Sequence, residues 1–512
     1  MTASTSSRRT LLAGGAAALA VTAAGGLAVD AVRAAPAAAA GPGGLLSADP
    51  IAHLLRRATF GATPAALAEA VRLGVPGWLD RQLDPATIAD GLCTELTGRL
   101  PLAHATVAGV RAALTKHSYE ALTQLGRSIV ARAVWSNRQL FETTAGFWAN
   151  HLHIASPAGG IWDSRGDYDK QVTRKHALGR FADMLAASAR HPAMLTYLDQ
   201  KSSTKAKPNE NYARELMELH TVGMIYSEAD VQAVARLLTG MTVTSAGAYL
   251  YDAPKHATGP IAVLGFTHPN ADPAGGEAVI LAFLDHLARH PATATRLATK
   301  LCVRFVADEA PASLVAKLAQ VYLDNDTRIV PVLRALFTSP EFAASIGQKV
   351  RTPFEDLAAA VRTLGLAPEP TGTVALDALY QSLVNAGNAP LRWSPPNGFP
   401  DVAAAWASPA GFLLRCNTHL NLAAGWYPKQ LVRPADLLKS LVPVLPGTWG
   451  ALVDALARRL IGVPIPAAHV AAVLSAAGKV PNGPLTAADK SLAGNAPFLI
   501  ALVLDTPSFQ LR

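Results

Sequence analysis

Three cysteines in 512 residues, Cys93, Cys302 and Cys416, are too few and too scattered for a disulfide framework or a paired-cysteine metal knuckle. Buried thiols are the expected state. Charged residues make up only 16% of the chain and aromatics 6%, and no dense lysine and arginine run carries interleaved aromatics. That excludes the usual signature of a nucleic-acid partner, so no nucleic acid is expected. Beyond residue 40 no apolar run is long enough to span a bilayer, so no integral membrane segment is expected after the leader. The nucleophile elbow, the zincin helix, the phosphate loop and the dinucleotide fingerprint are all missing, which disfavours the familiar serine hydrolases, zinc proteases and nucleotide enzymes. Period-two stretches are scarce as well: Met241 to Thr244 and Tyr249 to Tyr251 are the two that read as strands.

What the chain does have is apolar helix-forming sequence, with 50% hydrophobic residues. Prolines in Thr63-Pro64, Val75-Pro76, His191-Pro192, His290-Pro291, Ser339-Pro340 and Arg433-Pro434 stand where new helices can begin. A mainly α, multi-helix globular fold is predicted, with long loops and at most a small β element. Two internal echoes, Ala189-Arg190-His191-Pro192-Ala193 with Ala288-Arg289-His290-Pro291-Ala292 and the Thr338-Ser339-Pro340 corner with Thr506-Pro507, have no regular period and do not make a solenoid. Residues 156–170, 199–209, 244–277 and 385–410 read as long connections.

The N-terminus carries Ser7-Arg8-Arg9 ahead of an uncharged alanine- and glycine-rich stretch, with small-residue cleavage sites between Ala34 and Gly41. This reads as a twin-arginine signal, so residues 1–40 are assigned to export, 41–430 to a main helical domain and 431–512 to a helical extension packed on it. A membrane anchor fits less well, because alanine and glycine contribute little hydrophobicity. The expected location is extracellular or in the cell envelope. Losing the leader removes three arginines and one aspartate and lowers the formal charge from +8 to +6.

The densest chemistry lies in Asn209 to His220, with Asn209 as a helix N-cap and Gly223 as a stop. At about 100° per residue, Asn211, Arg214, Glu215 and Glu218 share one stripe. Two readings follow. Glu210–Arg214 and Arg214–Glu218 would be local pairs on a solvated face; alternatively, Arg214, Glu215 and Glu218 form a partly buried network or divide acid and base roles. Asp163-Ser164-Arg165-Gly166-Asp167-Tyr168-Asp169 has a calcium-loop flavour, but Arg165 stands where an oxygen ligand is needed, so a solvated turn is expected. The Ser202 to Lys205 match to an acyltransferase motif lacks its companion motifs.

The stretches Ala52-His53-Leu54-Leu55-Arg56-Arg57-Ala58-Thr59-Phe60-Gly61, Phe147-Trp148-Ala149-Asn150-His151, His191 to Asp199, Asn209 to His220 and Pro395-Pro396-Asn397-Gly398 together resemble the bacterial family called domain of unknown function eighteen hundred. The resemblance spans nearly all of the chain after the leader. It implies export and a neighbouring secreted partner with a phosphatase- or sulfatase-like fold, and it implies no reaction. His153 and the missing Gly-Trp pair after Asn397 depart from the family pattern, and His256 matches a family histidine.

His151 and His153 point about 200° apart in a helix, so the pair cannot chelate together there. His151 would face inward, as a core histidine or as a ligand. A mixed shell of His151, Glu218 and His256 would suit a divalent transition metal, with Glu215, Glu218, Arg214 and Asn211 as catalytic candidates. The resulting function is a metal-assisted hydrolase of envelope or environmental substrates. The alternative is a non-catalytic envelope protein whose charged helix is a buried polar network.

Overall fold

A computed structural model describes residues 45–512, and the twin-arginine segment lies outside them. The fold is mainly α-helical, with two small antiparallel sheets of two strands each among the described residues. The helices that position the site are α1 (Pro50–Ala58), α2 (Glu120–Trp135), α3 (Gln139–His151), α4 (Glu210–Glu215), α5 (Glu228–Leu237), α6 (Pro291–Phe305), α7 (Pro353–Thr363), α8 (Pro409–Ala424) and α9 (Leu492–Leu504).

Proline and a capping side chain start many of them. Before Pro192 and Pro291, the His191 and His290 rings accept the N–H of Ala193 and Ala292, each at 3.1 Å, which explains the Arg-His-Pro-Ala echo as one capping device used twice. Two prolines behave otherwise. Pro76 follows Gly74, whose φ of 67° kinks the segment, and after Arg433-Pro434 the helix waits until Leu437, where Asp436 caps it. The two expected strands form, β1 (Met241–Val243) and β2 (Tyr249–Tyr251), and the structure pairs them in a register that sets Met241 opposite Tyr251. A second hairpin, β3 (Ile261–Val263) with β4 (Phe266–His268), lies inside a stretch read as a connection. Its two-residue turn has positive φ at both Leu264 and Gly265, and leucine in place of the usual asparagine hid it.

Two large apolar cores share the helices. One gathers Leu54, Trp148, Phe181, Leu216, Met217, Phe283 and Phe305; the other joins Leu46 and Phe60 to Val130, Leu357, Leu456, Leu499 and Phe509. Residues after 431 therefore fill a core together with α2 and α7. Arg57, fully buried on α1, donates to the carbonyls of Val306 (2.7 Å), Phe305 and Ser345, satisfying backbone oxygens at the end of α6. The cysteines are free thiols, with Cys93 and Cys302 buried and Cys416 half-buried.

The acidic stretch read as a solvated turn is instead buried. Asp163 accepts from Arg111 Nε at 2.6 Å, Asp169 pairs with His104 at 3.0 Å, and Arg165 is wholly enclosed. Its partners lie 52 and 65 residues away, beyond the reach of a local motif.

Candidate functional site

The charged helix begins as expected. The Asn209 side chain accepts the Asn211 N–H at 2.8 Å, and Tyr212, Ala213, Leu216 and Met217 are buried. After Glu215 the ladder widens into a π-helical turn over Leu216–His220, closed at Gly223 (φ 78°), whose N–H reaches back to Met217 O at 2.9 Å. A π-turn carries more residues per revolution, so the 100° stripe ends at its start.

The expected pairing of Arg214 is corrected by this geometry. Its guanidinium grips Glu228 at the start of α5 through two bonds of 3.1 and 2.6 Å, and pairs with neither Glu210 nor Glu218. Arg214 is 36% exposed and Glu228 59%, so this is a surface pair. Asn211 is exposed, with one long bond from its amide to Leu198 O at 3.4 Å. Glu215 and Glu218 are half-buried. Glu218 accepts the Tyr226 hydroxyl at 2.5 Å, while partial burial and the neighbouring Glu218 charge push the Glu215 carboxyl above its usual range.

His151, at the last turn of α3, faces inward and is 2% exposed. Its Nε2 lies 3.0 Å from the His220 carbonyl, at the end of the π-turn. A carbonyl only accepts, so Nε2 carries the proton and Nδ1 is a bare acceptor. Lys300 Nζ on α6 sits 3.1 Å from that Nδ1. Burial, then the positive charge of Lys300, hold the His151 ring neutral, well below its ordinary range. Burial, reinforced by Arg296, lowers the Lys300 amine to about 8. His220, 1% exposed, is pushed down to about 3 by burial, and its Nε2 has no hydrogen-bond partner among the described residues. Arg296 is also depressed by burial and feels the Glu218 charge from a distance, and neither Arg296 nor Lys300 holds an ion pair among the described residues.

The metal set does not assemble. His256 is buried between Thr239 O (2.8 Å from Nδ1) and Asn270 Oδ1 (2.9 Å from Nε2), so both ring nitrogens are used. His151 is likewise committed on both sides, and Glu218 is turned to Tyr226. No group of three His, Cys, Asp or Glu side chains among the described residues is arranged to hold a metal ion. His153 is a core histidine whose Nε2 donates to Trp393 O at 2.7 Å.

The arrangement that does assemble is a half-buried amine on a neutral imidazole, with an arginine one helical turn away that holds no ion pair among the described residues. Such a cluster can receive an anion and move a proton. Sequence reasoning singled out His151 and missed Lys300 and Arg296. The signal was there: two cations at i and i+4 on one helix repel each other, and an amphipathic helix bears that cost more readily when an anion sits between them.

A family model described as Protein of unknown function (DUF1800) matches residues 53–511. No curated protein and no solved structure matches the chain.

Proposed function

The chain belongs to the DUF1800 family, whose description carries no activity, and we propose from its geometry that it is an exported acid–base catalyst, a hydrolase, acting on an anionic envelope or environmental substrate. The observation that carries this reading is the 3.1 Å contact between Lys300 Nζ and His151 Nδ1 beside an Arg296 without an ion-pair partner among the described residues. Arg296 anchors the anionic group. The Lys300 amine, lowered to about 8, takes a proton from water as that water attacks the substrate; the ammonium formed, held by His151 Nδ1, returns the proton to the leaving group as the bond between that group and the attacked centre breaks, which restores the neutral amine. The buried-network alternative loses ground because the Arg214–Glu228 pair is at the surface. A phosphatase- or sulfatase-like secreted partner stays within the proposal on family resemblance alone.

Trace reductive methylation read by mass spectrometry tests the site. Lys300 should be modified with a midpoint near pH 8, against about 10.4 for ordinary lysines. Added phosphate or acetate should move that midpoint upward, because a bound anion stabilises the ammonium, and Arg296→Gln should abolish the shift. An ordinary Lys300 midpoint that ignores anions would sink the reading.

Export is tested separately. Replacing Arg8 and Arg9 together with lysine should hold the precursor in the cytoplasm, and unimpaired export of that variant would refute the twin-arginine route.

A further inference from the structure

A cavity of about 130 Å³ lies between α3, the start of α7 and the loop 388–401. Its walls are aromatic and aliphatic, chiefly Phe147, Phe354, Leu391 and Phe399. The loop is locked in place by Asn150, whose amide donates to Phe399 O at 2.8 Å and accepts Phe399 N–H at 2.7 Å. Gly398 turns there with φ 75°, where a Cβ would run into the Asn150 carbonyl. The charges along the wall are already spent on each other: Arg304 meets Glu355 at 2.6 Å, and Asp401 faces Arg304 and Arg512. A charged occupant would find no free counter-charge.

Among the lining side chains, His153 Nδ1 and Arg304 Nε are buried without a partner among the described residues, and Asn388 keeps an unpartnered amide donor. Asn388 lines the cavity and is only 6% exposed. Its Oδ1 accepts the Phe354 N–H at 2.9 Å, which fixes the orientation of the amide and leaves the amide nitrogen as a donor with no partner among the described residues. That nitrogen is still reachable by solvent, so a ligand acceptor placed on it gains the net worth of one hydrogen bond. An apolar cavity of about 150 Å³ accommodates a benzene ring.

We propose that this cavity is a binding site for a small uncharged ring compound bearing one hydrogen-bond acceptor, with the ring against Phe147, Phe354 and Phe399 and the acceptor on Asn388 Nδ2. The site stands apart from the chemistry assigned to Lys300, and its test reads binding alone.

Acetophenone and ethylbenzene match in size and differ in the carbonyl acceptor. In saturation-transfer NMR titrations with the whole protein, acetophenone should bind, and about three- to ten-fold more tightly than ethylbenzene, the worth of one net hydrogen bond. Asn388→Asp keeps the acceptor for Phe354 N–H and removes the donor, so it should erase that preference. Gly146 offers a second variant that does not depend on Asn388. It is exposed, sits on α3 at the cavity wall, and a side chain added there meets nothing within 4 Å. Gly146→Leu should fold at least as well as the parent, since leucine is the better helix former, while filling the entrance and abolishing binding of both compounds. Absence of acetophenone binding, equal affinity for the two compounds, or binding undiminished in a folded Gly146→Leu protein would each overturn the proposal.

Discussion

Acidification from pH 6.5 to 4 is expected to unfold this protein. His53, His153 and His220 are each no more than 2% exposed, and burial lowers the first two to about 4 and the third to about 3. His53 and His153 donate from Nε2 to the carbonyls of Phe342 (2.8 Å) and Trp393 (2.7 Å), bonds that either protonation state can make, and it is burial that holds each ring neutral. In the unfolded chain the same rings take up protons near 6.5. Between that pH and 4 the unfolded state therefore binds more protons than the native one, and stability falls as the pH falls. These three groups give a slope of about 4 kcal/mol per pH unit, at about 1.4 kcal/mol for each, and His151, which burial likewise holds neutral, adds to it in the same direction.

His419 acts in the opposite window. It lies between Asp505 (2.7 Å) and Asp356 (3.0 Å), and although burial opposes its charge, these carboxylates raise it to about 9. Its contribution is complete below 6.5 and is lost as the pH rises to 9, so it does not offset the acid effect. Urea midpoints measured from pH 7 to 4.5 check the slope. A flat profile over that range would show that these rings are solvated.

Removing the charge of Glu355 is expected to cost about 3–5 kcal/mol, because it leaves two buried arginines sharing only the more distant carboxylate of Asp401. Glu355 on α7 meets Arg304 at 2.6 Å and Arg512 at 2.9 Å, and its other oxygen accepts the Thr352 N–H at 3.0 Å in a capping box. These two arginines overcome the cost of burial and hold the carboxyl down at about 2. Glu355→Gln keeps the shape and the cap and loses the charge. Arg214→Ala is the contrast: its pair with Glu228 is exposed, and the cost should be about 0–1 kcal/mol. Melting or denaturant curves for the two variants decide it, and similar losses in both would remove the distinction between the two ion pairs.

Local chemistry was legible in the sequence and distant partners were not. Proline after a histidine, serine or threonine marked real helix starts because the cap and the fixed φ act within three residues. The two strands, Met241 to Val243 and Tyr249 to Tyr251, followed from alternation alone, and their pairing came from the structure. Arg214 was found as a functional-looking side chain, but Glu228 lies fourteen residues away and outside the helix, so periodicity proposed the wrong partners. The stripe itself assumed a uniform helix, and the π-turn after Glu215 ended it. His151 was read correctly as inward-facing, yet its neighbour Lys300 is 149 residues distant and only folding brings the two together. The same holds for the cavity, which depends on Asn388 meeting Phe354 and on Asn150 catching Phe399.

The second core joins Leu46 and Phe60 to Leu499, Leu504 and Phe509, and Arg512 completes the charge of Glu355. During synthesis these groups are not available together. At roughly 5–20 residues per second, tens of seconds separate the making of Phe60 from the making of Phe509. Over that interval Phe60 has no neighbours from α9, and Glu355 waits with one arginine fewer. A ribosome-bound chain is thus an open half-structure with an apolar surface that a chaperone can hold. The closing of this core therefore waits for the last residues of the chain, and the fold is complete only once Phe509 and Arg512 have been made.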